Sequence, residues 1–271
     1  MYQKYTIVRY CNVTVTLLSS LHAITMCDKE KELYRKILWF DNRLRYEIDF
    51  FDLLQPQRKV SGHRRYKSGM FYSGKCSRWI QYESGIEYKF IQQLEQMNNV
   101  LFYYEQPVQI QYRRGRRKLT YTPDFGLYFD TGEFVLVEIK DLPHMLADKV
   151  QLKVEALLDF CSRKGFGLLF FDGKNTFEKL LKTRNNPRLE KAIMNRLDNG
   201  PIGKKEYNEI AEQSSATYNQ LFKVIIRNNL SFMPFPFKIM PGNRNAMFRS
   251  VFVEKRRYDD LAEEKFHALF K

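Results

Sequence analysis

Asp124, Glu138 and Lys140 are the residues of this chain whose types and spacing best suit chemistry. Pro123-Asp124 is followed, thirteen residues on, by Glu138-Ile139-Lys140. Tyr121 to Phe129 reads as a strand, Asp130-Thr131-Gly132-Glu133 as a turn, and Phe134 to Lys140 as a second strand. So short a connection makes the pair an antiparallel hairpin, with both acids at one edge. Alternation places Glu138 and Lys140 on one face, while Val137 and Ile139 point into the core. Two carboxylates beside an ammonium on an apolar sheet can hold a hard divalent cation and a water against a phosphodiester. The same residues also suit a plainer arrangement, an acid at a strand edge and a Lys–Glu pair on a solvated face.

Phosphodiester hydrolysis with a metal usually calls for a further carboxylate, and a helix upstream offers one. Ile86, Phe90, Leu94 and Met97 recur at helical spacing through about residue 98. Glu83 and Glu87, four residues apart, can face the same side. Ser84-Gly85-Ile86-Glu87 is also a capping-box pattern, in which Glu87 would serve the helix start instead.

The elements that must carry these residues form a mixed α/β pattern. Val100 to Tyr104 and Val108 to Tyr112 read as strands ahead of the acidic hairpin. Ala147 to Arg163 is an amphipathic helix ending at Gly165, and Gly167 to Phe171 is an apolar run suited to a buried parallel strand. Upstream, residues 28–55 suggest one or two short helices, and Pro56 to Lys75 a Gly/Lys/Arg-rich loop. Downstream, residues 188–197, 204–213 and 216–228 read as three short helices. An aromatic–proline hairpin follows at Ser231 to Phe237, an order resembling a winged helix. The expected division is an unassigned extension over 1–55, an α/β domain over 56–173 and a winged-helix-like domain over 174–271. The first 25 residues differ in character from the rest, as they would if translation began at Met26.

Composition points to a polyanionic partner. The 271 residues carry a net charge of +14 and a pI near 9.5. Arg58, Lys59, Arg64, Arg65, Lys67, Lys75 and Arg78 lie between Pro56 and Ile80 with no acid among them, interleaved with Tyr66, Phe71, Tyr72 and Trp79. A second block, Arg113, Arg114, Arg116, Arg117 and Lys118, falls at a hairpin turn, and Lys255-Arg256-Arg257 makes a third. The four scattered cysteines and four scattered histidines support neither zinc, nor a disulfide framework, nor a histidine triad, and fit a reducing cytoplasm. No stretch has the length and apolarity of a membrane span.

From about Ser61 to Gly173 the chain resembles the TnsA transposon endonuclease family of the PD-(D/E)xK, restriction-endonuclease-like superfamily. The resemblance rests on Arg64-Arg65-Tyr66, Tyr82-Glu83-Ser84 with Ile86-Glu87 and Phe90-Ile91, and Leu94-Glu95. It continues through Tyr104-Glu105-Gln106-Pro107, Tyr121-Thr122-Pro123-Asp124-Phe125 and Val137-Glu138-Ile139-Lys140. It implies a restriction-endonuclease-like α/β core in which Glu87, Asp124 and Glu138 bind Mg²⁺, with Mn²⁺ able to substitute, and Lys140 completes the catalytic set. It further implies cutting of 5′ strands in double-stranded DNA at transposon ends, beside a DDE-type transposase subunit and an AAA+ ATPase regulator. A stand-alone restriction or phage-defence nuclease would use the same chemistry without those partners. A non-catalytic DNA-binding assembly protein would use only the basic segments and the winged helix.

Overall fold

The structure, a computed structural model, describes residues 6–10, 13–17, 27–40, 68–173, 180 and 182–242. Strands β1 (Thr6–Tyr10) and β2 (Val13–Leu17) pair antiparallel. Helix α1 (Asp28–Lys36) comes next, and then a hairpin of β3 (Gly69–Ser73) and β4 (Arg78–Tyr82). Helix α2 (Gly85–Glu95) leads into β5 (Val100–Glu105). A hairpin of β6 (Ile110–Arg114) and β7 (Arg117–Tyr121) is followed by β8 (Phe125–Phe129) and β9 (Phe134–Ile139). Two helices, α3 (Leu142–Met145) and α4 (Asp148–Lys164), then deliver the chain to β10 (Gly167–Phe171).

The central sheet runs β10-β9-β8-β5. β10 lies parallel to β9, and the other pairs are antiparallel. Both faces are covered. Val135, Val137, Ile139, Phe125 and Leu127 pack towards Phe90, Ile91 and Leu94 of α2. Phe134 and Leu136 pack on the other side with Leu157 and Cys161 of α4. Strand β9 is therefore buried along its whole length, as a strand with a parallel neighbour and two covering layers must be. Gly165 ends α4 in the left-handed conformation (φ 67°), its N–H donating to the Cys161 carbonyl, so the chain reverses directly into β10.

Three features depart from the sequence reading. The expected single strand 121–129 is two: β7 ends at Tyr121 in its own hairpin, and β8 starts at Phe125. Thr122-Pro123 breaks the run because proline cannot donate to a ladder. The expected loop to Lys75 contains β3, whose Phe71 pairs with Ile80 of β4 over the core. The segment 27–40 joins the core of the central sheet as well. Tyr34, Ile37 and Trp39 are buried there, and Leu38 exchanges backbone hydrogen bonds with Leu168 of β10. The remainder of 41–55 lies outside the described residues.

The C-terminal part consists of α5 (Pro187–Leu197), β11 (Ile202–Gly203), α6 (Lys204–Gln213), α7 (Tyr218–Arg227), β12 (Ser231–Pro234) and β13 (Phe237–Met240). Its three strands pair antiparallel in the order β11-β13-β12. Asn186 and Thr217 cap α5 and α7 through their side chains. The core of this part also takes in Leu142, Met145 and Leu146, so α3 is shared between the two halves of the molecule. Ser231 donates to Asp148 at the same junction.

Candidate active site

The ladder between β8 and β9 ends at Phe125 opposite Val137, so Asp124 and Glu138 are the next residues along the two strands, and the charge of Lys140 reaches both carboxylates. The Asp124 N–H donates to the Val137 carbonyl, and Asp124 Oδ2 accepts from the Ile139 N–H at 2.6 Å. Glu138 is 1% exposed. One of its oxygens faces the Lys140 ammonium at 3.5 Å, while Oε2 is buried with no hydrogen-bond donor among the described residues. A buried carboxylate oxygen left in that state costs several kcal/mol by general estimates, roughly 1–3 or more. The alternation expected along β9 is present, but the face that carries Glu138 lies under α4 and is not open to solvent.

Glu87 stands at the start of α2, and it makes the cap. Ser84 Oγ accepts from the Glu87 N–H, and the Ser84 hydroxyl donates to Glu87 Oε1 at 2.9 Å. The Glu83 N–H donates to Glu87 Oε2 at 2.7 Å. The Asp124 charge nonetheless reaches Glu87, so the cap and the acidic site adjoin. Among the described residues no three His, Cys, Asp or Glu side chains are gathered closely enough to form a ready metal cage. Lys140 is the common neighbour of Asp124, Glu138 and Glu87, with Glu87 held by its capping bonds.

Electrostatics mark the site as strained by its own charge. Burial, and then Asp124, push Glu87 up to about 7. Burial raises Asp124 to about 6 against the pull of Lys140 and the Ile139 N–H. Burial also raises Glu138, although Lys140 and Lys153 favour its ionised form. Burial works to neutralise Lys140, but Glu138 and Asp124 outweigh it and hold its ammonium above the usual lysine range. Lys140 is thus a firmly charged partner of the acids, ill-suited to accept a proton in this state.

Lys153 is the site residue that sequence reasoning missed. It projects from α4, its Nζ 4.7 Å from the centre of the Tyr121 ring. Burial and Lys140 lower it, while Glu138 and Asp124 act to raise it. The signal was present, since Lys153 directly precedes Val154 and so borders the apolar stripe of Val150, Val154 and Leu157.

The basic residues fare differently from one another. Arg113, Arg114, Arg116, Arg117 and Lys118 are all exposed on the β6–β7 hairpin, whose turn has Gly115 at φ 60°. Lys75 and Arg78 are tied into the protein's own structure. Lys75 Nζ donates to the Met97 carbonyl, and Arg78 pairs with Glu105 and lies over the Tyr104 ring. Arg58, Lys59, Arg64, Arg65 and Lys67 lie outside the described residues. In the C-terminal part, Lys223, Arg227 and Asn228 of α7 and its cap bond to Thr183 and Glu190, so that helix spends its polar groups internally.

A mixed sheet covered on both faces, with two acids and a lysine at the ends of adjoining strands, makes this an α/β domain. Residues 97–172 match the family described as TnsA-like endonuclease N terminal. That stretch contains Asp124, Glu138 and Lys140 and leaves Glu87 outside, so it is narrower than the resemblance drawn from the sequence. It supports a nuclease of the TnsA type. A separate similarity, 29% identity over 108 residues, is to the large ribosomal subunit protein uL13 of Pseudoalteromonas translucida (strain TAC 125). It covers 39% of this chain and 67% of that protein. An identity this low shows no family for the chain, and it is the endonuclease match that falls on the acidic site. Among the described residues no helix is long and apolar enough to cross a membrane.

Proposed function

We propose that this protein is a divalent-metal-dependent endonuclease of the TnsA type acting on double-stranded DNA. The observation that carries the reading is that Asp124 and Glu138 both act on Lys140, with Glu138 Oε2 buried and lacking a donor among the described residues. An all-oxygen donor set suits Mg²⁺ or Mn²⁺. Asp124 and Glu138 would hold the ion, and Glu87 would join them once its capping bonds are released. When bound, such an ion polarises the phosphodiester and acidifies a water. Lys140, kept protonated by its neighbours, positions the phosphate and offsets its charge. Asp124 is itself fixed by the Ile139 N–H, and α4 excludes bulk water from Glu138.

The exposed β6–β7 arginines supply sequence-neutral attraction to the DNA backbone. The C-terminal helices and three-stranded sheet follow the order of a winged helix. With α7 occupied internally, we assign that part to protein contact, with a transposase subunit and an AAA+ ATPase as the partners the family resemblance implies. Cutting of 5′ strands at transposon ends is the corresponding reaction. The test is Mn²⁺ titration of the full chain by calorimetry, together with cleavage of duplex DNA in Mg²⁺. Binding and cleavage should both disappear in Asp124→Ala and Glu138→Ala proteins that retain wild-type circular dichroism. Unchanged Mn²⁺ binding and nicking by Asp124→Ala would overturn the reading.

A further inference from the structure

The β3–β4 hairpin has two faces with opposite fates. Phe71, Ile80 and Tyr82 turn inward onto the core. Met70, Tyr72 and Trp79 share the outer face and are 53%, 54% and 59% exposed. Tyr72 and Trp79 are directly paired across the strands, their rings 5.5 Å apart and edge to face. Large apolar side chains clustered on a solvated sheet face are unfavourable unless something covers or uses them.

This face is held rigidly. At the turn, Ser73 Oγ and the Gly74 N–H both donate to Glu95 of α2, and Tyr103 donates to the same carboxylate. At the base, Phe71 and Tyr82 pack on Tyr88, the residue next to Glu87. The hairpin is therefore braced on the helix that carries the third acid. Trp79 lies four residues before Glu83, whose N–H holds Glu87, so along the strand the aromatic pair is about 13 Å from that residue. That reach corresponds to about four nucleotide steps of a DNA strand.

Charge identifies the occupant. The chain carries a net charge of +14, and its sequence from Pro56 to Tyr82 holds seven lysines and arginines and no acid, a composition that favours a polyanion. Stacked rings in a basic setting bind bases whose faces are free, which a paired duplex does not present. We infer that the outer face of the β3–β4 hairpin, through Tyr72 and Trp79, binds unpaired nucleobases flanking the scissile phosphate. This inference rests on the nuclease reading and narrows its substrate to DNA that is locally unpaired beside the cut.

The test uses the full chain in EDTA, with fluorescence anisotropy on two labelled oligonucleotides. One is a blunt 30-base-pair duplex, and the other is the same duplex with a five-nucleotide single-stranded gap. Wild type should prefer the gapped DNA and show quenching of tryptophan emission on binding it. Tyr72→Ala and Trp79→Ala should each weaken gapped-DNA binding by about tenfold, the scale of one base–aromatic contact, and leave the duplex affinity within twofold. Trp79→Phe should recover most of the loss. Equal affinity of the wild type for both DNAs, or equal losses on both, would overturn the inference while leaving the nuclease reading intact. Absence of binding to either DNA would instead count against the nuclease reading itself. Loss of self-association in sedimentation by Trp79→Ala, with unaltered binding of gapped DNA, would assign the face to a second copy of the chain and overturn the inference.

Discussion

Glu87→Gln should stabilise the metal-free protein at pH 8, although Glu87 makes a helix cap. Glutamine preserves the cap's geometry. Its carbonyl can accept from the Glu83 N–H, and its amide can donate to the Ser84 hydroxyl, where the carboxylate now accepts. What it removes is a charge that burial and Asp124 disfavour. Glu87 rises from 4.5 to about 7 on folding. A carboxyl raised in the folded state contributes stability that is whole below pH 4.5 and lost as pH climbs through about 7. At ~1.4 kcal/mol per pH unit the full loss is roughly 3 kcal/mol at pH 8. Asp124, raised from 3.8 to about 6, loses stability over an overlapping range, and the two losses are not additive because each charge acts on the same cluster.

Replacing a charged acceptor with a neutral one weakens the capping bonds by about 1 kcal/mol. The net expectation for Glu87→Gln is therefore a gain of about 1–3 kcal/mol at pH 8, vanishing or reversing at pH 4.5. Urea denaturation in EDTA at the two pH values measures it, read as the change in midpoint at constant slope. A uniform loss near 1 kcal/mol at both values would show that Glu87 is a cap and nothing more. Such a gain on neutralising an acid is what a site built for a cation should give, since function sets the charges against stability.

Asp124→Asn should show the same sign between pH 5 and 8, and it should lower cleavage by a thousandfold or more in the assay that detects wild-type activity. Lys140→Ala leaves Glu138 buried without its cation, so thermal denaturation at pH 8 should drop by the equivalent of about 3 kcal/mol; an unchanged midpoint would deny the ion pair. Replacing Arg113, Arg114, Arg116 and Arg117 with Gln should weaken duplex binding and flatten its dependence on log salt by up to about four, with no effect on folding; an unaltered slope would remove the hairpin from the DNA interface. Deleting residues 175–271 strips the cover from Leu142, Met145 and Leu146, which are at most 1% exposed, and should cost on the order of 5 kcal/mol; full retention of stability would refute the shared core.

Much of the site was legible in the sequence because strand pairing is local. A four-residue turn between two apolar strands fixes register, and register carries the ladder to Phe125 and Val137, the residues next to Asp124 and Glu138. The cap at Ser84 and the stop at Gly165 were legible for the same reason, each depending on side chains or dihedrals within a few residues. Long-range packing was the part that could not be read. The stripe of Val150, Val154 and Leu157 beside Lys153 marks the face that α4 buries but not that this face meets Glu138, and nothing near Leu142 reveals that its core includes Leu189, Leu221 and Phe232, far along the chain. Lys140 is followed after one residue by a helix whose apolar side chains belong to the C-terminal core. The Lys140 N–H donates to the Phe171 carbonyl, and Asp124 is held by Val137 and Ile139, so both residues are anchored in the sheet where α3 leaves for the C-terminal core.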